Sequence, residues 1–369
     1  MRLYRAELYK LCHKKTFLIG SVITALILMV YFLLMVSDQI TTVNGVTYHG
    51  YDAVRMDRQI TEAYRGELTD EKVRHIIEEY GLPSKVEEDY GWWRDANYLN
   101  GFVADYLSDG FIKDWDNYCI PTGVYAIADT KLGKMQEARG EAIPIAYTTG
   151  WQVFFNTLEM GMIPASVLVI IGISIVFAQE SETGMLPLLF TAQDGKEKDT
   201  RMKIAAAFTL TIVVYGAVVL SVLVLCGCVF GLDGGNCPLG LAVPAWTNII
   251  SVTGYIPLLR TFMWIVIGFD FLAMMLLCAV TMCISAYCKS TFGAVTRAAT
   301  LWVMPSLIAA MFRSGLLYLF STSTPLALIR TNVIYETISW GRTTAKLLFA
   351  LVLFVVCVSK GYRIYTRQS

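Results

Sequence analysis

The stretch FAQESETGMLPLLFTAQDGKEKDTRMKIAAAF, Phe177–Phe208, sets two glutamates, a glycine, a twin leucine and a basic cluster between two long apolar runs. Those runs, about Met160 to Ala178 and Ile204 to Phe230, each have the ~20 apolar residues that a helix needs to cross a bilayer. The stretch therefore reads as a loop of about 25 residues joining two membrane spans. Its order is informative. Glu180 and Glu182 leave the first span and Gly184 follows. The segment MLPLLF, with Pro187 inside it, is predicted as a short apolar helix or turn, and Lys196, Lys198, Arg201 and Lys203 lead into the next span. A short apolar element between acidic and basic flanks, held beside the headgroups, suits docking into a groove of a partner protein.

Working outward, the rest of the chain fits the same class. Of its 369 residues, 55% are hydrophobic and only 16% are charged, whereas a soluble chain carries roughly a quarter charged. The charge is unevenly spread, because 20 of the 30 acids lie between Asp38 and Glu141. Four further apolar runs read as spans: Phe17 to Val36, Thr261 to Ala286, Ala298 to Phe320 and Thr343 to Ser359. The first has basic residues before it and no small-residue cleavage site after it, so it reads as a retained anchor. The expected fold class is an all-α polytopic membrane protein with six transmembrane helices.

One segment decides the span count. LAVPAWTNIISVTGYIPLL, Leu241–Leu259, is long enough to cross, but Pro244, Asn248, Gly254 and Pro257 weaken a lipid-facing helix. Counting it as a span would put Lys289, Arg297, Lys360, Arg363 and Arg367 on the outside. With six spans, the basic loops Arg2 to Lys15, Lys196 to Lys203, Lys289 to Arg297 and Lys360 to Arg367 share one side. The bias of Lys and Arg toward the cytosol then favours six spans with both termini cytosolic, as in a bacterial plasma membrane. Leu241–Leu259 becomes an interfacial or re-entrant piece on the outer face.

Two regions lie outside the spans. MRLYRAELYKLCHKK reads as an amphipathic interface helix. Tyr4, Leu8, Leu11 and Cys12 share one face, while Arg2, Lys10, His13 and Lys14 lie opposite, toward anionic membrane lipids. The chain then divides into residues 1–36 (interface helix and first span), 37–155 (an extracellular, mostly helical domain) and 156–369 (spans two to six with a cytosolic loop at 179–203). Within the domain, TDEKVRHIIEEYG is predicted as a capped helix starting at Thr69 or Asp70 and ending at Gly81. WWRDANYLNGFVADYL is predicted as a second helix, with Trp92, Trp93, Leu99, Phe102, Val103 and Tyr106 to bury.

The sequence lacks the motifs of several chemistries. No G-x-x-x-x-G-K-[ST] loop occurs, and Gly195-Lys196 is followed by Glu197, so the chain has no phosphate cradle of its own. No H-E-x-x-H or G-x-S-x-G occurs. His13, His49 and His75 read as solvated residues, and no cysteine pair has zinc-site spacing. Cys119 and Cys237 are the two cysteines expected on the outer side, either bridged or as free thiols. Metal ligands, a catalytic centre and nucleic-acid binding are not expected.

Here the chain resembles a known group. E-x-E-x-G followed by L-L-x-T and a basic residue before the next span is similar to the type-2 permeases of ATP-binding-cassette (ABC) exporters. The matching positions are Glu180, Glu182, Gly184, Leu188, Leu189, Thr191 and Lys203. CAVTMCISAYCKSTFGAV, Cys278–Val295, is similar to that family's small and hydroxyl-rich span end, followed by a basic residue and serine at Lys289-Ser290. The resemblance covers the membrane part, roughly 250 residues. It implies that the loop is a coupling helix contacting a separate cytosolic ABC ATPase, which binds the ATP and Mg. It also implies a second permease chain, identical or related. The family contains members with a large domain between the first two spans. One departure is that its proline after the loop threonine is replaced here by Ala192-Gln193, with Pro187 lying earlier.

Polar and aromatic residues inside the spans complete the candidates. Asp270 is the one acid well inside a predicted span, and Arg313 is its candidate partner. Helical rise puts them roughly 14 Å and 10 Å below the outer ends of spans four and five, close enough in depth for a packing ion pair. Phe154, Phe155, Trp302, Met304, Met311 and Phe312 are candidates for a transport path or for ordinary packing. Three rivals remain open. One is a transmission protein using ATPase motion to control an external partner; its usual layout has fewer spans. The others are a membrane scaffold or sensor without an ATPase, and a polytopic enzyme.

Overall fold

The computed structural model describes residues 2–87, 92–114, 116–191, 197–242, 257–312, 315–337 and 340–367. Among these, six helices are long and apolar enough to cross a membrane. The first is α2 (Lys15–Ser37), preceded by α1 (Arg2–Cys12). An interspan domain contributes α3 (Tyr51–Ala63), α4 (Asp70–Tyr80), α5 (Tyr98–Leu107) and α6 (Lys131–Arg139). Then come α7 (Thr149–Glu182), the short α8 (Leu186–Thr191), α9 (Lys198–Val229), α10 (Leu259–Tyr287) and α11 (Thr291–Met311). Three short helices follow, α12 (Gly315–Ser321), α13 (Pro325–Ile329) and α14 (Thr331–Thr337), before the last span α15 (Trp340–Arg367). The protein is a mostly helical polytopic membrane protein.

The chain divides into two compact units, residues 1–30, 156–222 and 264–369 in one, and residues 31–155 and 223–263 in the other. In the first, α7 and α10 form the centre, with 72% and 67% of their most apolar windows buried. Small residues let neighbouring helices approach α7. A Cβ on Gly161 would lie 2.9 Å from Val218 of α9 and 3.0 Å from Leu28 of α2. A Cβ on Gly172 would lie 3.1 Å from Phe17 and 3.3 Å from Leu210. Ser285 of α10 fastens the far end: its Oγ donates to the Ser174 carbonyl (2.8 Å) and accepts from the N–H groups of Phe177 (3.1 Å) and Ala178 (3.0 Å).

The second unit holds the interspan domain and is less purely helical than its sequence suggests. Among its described residues it carries four two-stranded antiparallel sheets. β1 (Ile40–Val43) and β2 (Val46–His49) form a hairpin whose turn, Asn44-Gly45, has both φ angles positive (52° and 77°), as a two-residue hairpin turn requires. Asp57 of α3 ties this hairpin to α5, accepting from Thr41 Oγ1 (2.6 Å) and the Tyr98 N–H (3.0 Å). The α4 helix follows its prediction: Thr69 caps it and Gly81, at φ 70°, ends it.

The second predicted helix is corrected at its start. Trp92–Trp93 is a strand, β5, paired with β4 (Val86–Glu87). The Asp95 carboxylate accepts from the N–H groups of Ser84 (2.9 Å) and Lys85 (3.2 Å) and holds that hairpin. The helix begins only at Tyr98, behind an Asn97–Asn100 capping box. β3 (Gly66–Glu67) pairs with β8 (Pro144–Ile145), and β6 (Phe111–Asp114) with β7 (Asn117–Cys119). Cys119 is exposed and Cys237 buried, and both are free thiols. Burial pushes the Cys237 thiol up to about 12.

The segment that decided the span count returns to where it started. Pro238 and Leu258 form an antiparallel bridge, the Leu239 N–H donates to the Pro257 carbonyl (2.9 Å) and the Leu259 N–H to the Cys237 carbonyl (2.9 Å). A single crossing would hold those ends ~30 Å apart. The two ends of the segment therefore lie together on one side; 243–256 lie outside the described residues.

Span five also differs from its prediction. The helix runs Thr291–Met311, where Ala298–Phe320 was expected. Gly315 sits at φ 85° and begins a separate helix. The apolar character of residues 315–320 hides this break, because a hydropathy run cannot register a change of chain direction.

Candidate functional site

At one end of the helix bundle, the loop quoted at the outset meets four other elements within the first unit. The α7 helix stops at Glu182 through Gly184, whose φ of 67° is the left-handed conformation that suits glycine. The Met185 N–H reaches back to the Glu180 carbonyl (3.1 Å) and closes the turn. The chain then enters α8, where Pro187 sits in the first turn and needs no intrahelical acceptor.

Glu180 is the hub. It is buried, as are Lys203, Asp199 and Tyr365. Lys203 Nζ lies 2.7 Å from Glu180 Oε1 and also contacts Asp199 one helical turn before it on α9. Lys10 of α1 approaches the same Glu180 oxygen at 3.4 Å. The Tyr365 hydroxyl, from the end of α15, donates to Glu180 Oε2. The Tyr365 ring packs tilted against Phe177 at 4.3 Å and meets Phe190 of α8 edge-on at 5.6 Å. A buried carboxylate is tolerable only with such partners, and here they come from α1, α9 and α15.

Glu182 makes a second tie. Its Oε2 accepts from the Thr291 N–H (2.9 Å) and the Thr291 hydroxyl (2.5 Å), so it caps the first turn of α11. On α8, Leu189 and Phe190 are half-buried, whereas Leu188 is 65% exposed. The Thr191 hydroxyl turns back to the Leu188 carbonyl (2.8 Å). The short helix thus has one side packed on Tyr365 and an apolar edge without cover among the described residues.

The interface helix joins the same cluster. The Tyr4 hydroxyl donates to Thr209 Oγ1 (2.8 Å), Leu8 is half-buried and Leu11 is buried. Its basic face differs from the expectation. Lys10 and Lys14 do not point away from the protein: Lys10 turns to Glu180 and Lys14 donates to Gln179 Oε1 (2.7 Å). Burial raises the Glu7 carboxyl, and Lys10, 3.7 Å away, partly opposes it. Helical-wheel reasoning missed this because it assigns faces without knowing that an acidic helix end lies alongside.

The remaining sequence candidates are dispersed. Asp270 is fully buried, with neither carboxylate oxygen hydrogen-bonded among the described residues, and Arg313 lies outside the described residues. Glu159 on α7 is a second acid inside a span. It accepts from the Thr331 N–H (2.8 Å) and lies 3.9 Å from Arg330. Placing the start of span two at Met160 hid it, since the helix begins at Thr149. Phe154 and Phe155 are fully buried, and Phe155 packs edge-on to Phe262 at 5.1 Å. Trp302 is buried, while Met304, Met311 and Phe312 are exposed on or just after α11. Among the described residues, no three His, Cys, Asp or Glu side chains gather as a metal site.

No protein-family model, curated protein or solved structure matches this chain.

Proposed function

We propose that this chain is the membrane-spanning permease subunit of an ABC exporter driven by a separate cytosolic ATPase. The observation that carries the reading is α8: a short helix with an exposed apolar edge at Leu188, tied through Glu180 and Glu182 to five other helices. A partner gripping Leu188 would pull on α7 directly. Through Lys203 the pull reaches α9, through Lys10 α1, through Thr291 α11 and through Tyr365 α15. Buried pairs and capping hydrogen bonds transmit such a pull because they resist being separated.

In this reading, ATP and Mg sit in the partner, whose two ATPase subunits close on ATP binding and move α8 of each of two permease chains. The basic loops on the α8 side support a cytosolic placement of that side, with the interspan domain extracellular. Even crossings return both termini to the cytosol of a bacterial plasma membrane, where α1 meets membrane lipids. Neither catalysis nor nucleic-acid binding by this chain enters the mechanism.

The test is capture of the ATPase. Tagged chain is co-expressed with the ABC ATPase encoded nearest to it, and ATPase activity is measured in the recovered complex. Wild type is compared with Leu188→Asp alone and with Glu182→Lys plus Leu188→Asp. Leu188 is exposed, so the single change leaves the fold intact while placing a charge in the contact. The expected result is an active complex with wild type and at least roughly a tenfold loss with either variant, the size of a disrupted hot-spot contact. Failure of wild type to retain any ATPase would overturn the proposal.

A further inference from the structure

The second unit contains two adjoining hollows of about 450 and 480 Å³ that share Arg65, Ala146 and Asp233 in their walls. Volumes of this order suit small ligands. The first is lined from α3, where Arg55, Arg58 and Glu62 recur at three- and four-residue spacing and so share one helix face, and Arg65 follows just beyond the helix end. The second adds Arg260 from the first turn of α10. Asp233 pairs with Arg58 (3.1 Å) and Glu62 with Arg65 (3.0 Å). Arg55 and Arg260 have no acidic partner among the described residues, so four guanidinium groups face two carboxylates.

The walls are built rather than incidental. Gly231, at φ 74°, lies under the Arg58 guanidinium, which a Cβ would meet at 2.8 Å. Gly235 is held between the Trp151 ring and the Arg260 stem, at 3.2 and 3.3 Å from where its Cβ would be. The Trp151 indole donates to the Asp233 carbonyl (2.6 Å) and fixes the loop. Tyr147, buried in the wall of the first hollow, has a hydroxyl with no hydrogen-bond partner among the described residues.

Depth supplies the last clue. Tyr147 and Trp151 flank the start of α7, Val229 ends α9 and Arg260 begins α10, so the hollows lie at the level where three spans end. That is where lipid headgroups sit and where tryptophan concentrates. We propose that these arginine-lined hollows bind a phosphate group at the membrane interface on the side of the interspan domain. Each hollow offers one guanidinium without an acidic partner among the described residues, Arg55 in the first and Arg260 in the second; a phosphate group carries up to roughly −1.5 to −2 at neutral pH, and arginine presents forked donors to its oxygens. The phosphate comes from a lipid headgroup or from a soluble ion.

Two arms separate those sources. The full chain in detergent is titrated with inorganic phosphate, and the full chain in phosphatidylcholine nanodiscs is compared with and without added phosphatidic acid, each followed by Tm. A ligand binding only the folded state raises Tm. A rise with inorganic phosphate marks a soluble ion; a rise with phosphatidic acid that inorganic phosphate does not compete away marks a headgroup. Either supports the site if Arg55→Gln with Arg260→Gln weakens half-saturation roughly tenfold or more, the scale of lost charge-assisted hydrogen bonds. The exposed control Arg74→Gln with Lys134→Gln removes the same charge elsewhere and leaves half-saturation unchanged. In wild type, the effective probe also slows phenylglyoxal modification of Arg55 and Arg260 relative to Arg74. No Tm rise in either arm, or a rise that the arginine double variant keeps in full, overturns the proposal.

Discussion

Lys203 shows how much depends on single charges in this chain. It is 1% exposed and stands between Glu180 and Asp199. Lys203→Met removes the cation while both carboxylates stay buried, which costs about 3–5 kcal/mol for a buried pair broken on one side. Lys10, 31% exposed and 3.4 Å from Glu180, is screened by solvent, and Lys10→Met costs ~1 kcal/mol or less. Denaturant unfolding in micelles ranks the two, and equal losses would refute Lys203 as the hub's main counter-charge. Asp57 supplies a pH signature in the interspan domain. Burial pushes its carboxyl up to about 6, against the hydrogen bonds from Thr41 and Tyr98 that lower it. The folded state therefore holds a proton that an unfolded Asp, with pKa about 3.9, has lost. Between about pH 4 and pH 6 the folded state binds more protons than the unfolded one, so stability falls as pH rises, by on the order of 1–3 kcal/mol. Asp57→Asn keeps an acceptor for both donors and removes the titration. The difference between wild-type and variant unfolding curves across that window should decline with pH; a flat difference contradicts the assignment.

Elements end where backbone chemistry tells them to, and Gly184 is the clearest case. At φ 67° a side chain is strained, so Gly184→Ala destabilises by ~1 kcal/mol, while Gly184→Asn, which tolerates the left-handed region, costs less. Both Tm and ATPase capture are expected to follow the order Gly, Asn, Ala; Ala equal to Gly would mean that the turn is not held as described. The glycine, the glutamates and the short apolar helix were legible in the sequence because each rests on a local rule. So were the six apolar helices and the Thr69 cap. What the sequence hid is tertiary. Nothing local announces that Tyr365, from the last helix, completes the Glu180 cluster, or that Lys10 and Lys14 turn inward. Trp92 and Trp93 read as helix because their apolar character masks the Asp95-held hairpin, and the Gly315 break lies inside a run apolar enough to read as one span despite Arg313. Arg55 and Arg58 of α3 have helical spacing, but only their meeting with Asp233 makes them the wall of a hollow, and only the fold brings Arg260 to the adjoining one.

At the scale of the whole molecule, the arrangement turns on the paired ends Pro238 and Leu258. Strands in register sit about 5 Å apart, while a crossing separates its ends by ~30 Å. The bridge therefore fixes the parity of everything after it: α10 starts on the side where α9 ended. With six crossings, Lys289 and Lys360 are expected on the same side as Arg5 and Glu197, and Cys119 on the other. All four side chains and Cys119 are exposed, so the consequence is directly measurable. Single cysteines at Arg5, Glu197, Lys289 and Lys360, in a chain otherwise free of cysteine, are expected to react with a membrane-impermeant maleimide as one group. Cys119, kept alone in the same background, is expected to react from the other face. Were residues 238–258 a seventh crossing, the positions at 289 and 360 would change sides and label with Cys119, while 5 and 197 would not. That outcome would also strand their basic loops on the wrong side for the bias of Lys and Arg toward the cytosol. It would separate α11 from the loop that Glu182 joins to it, and so break the arrangement on which α8 depends.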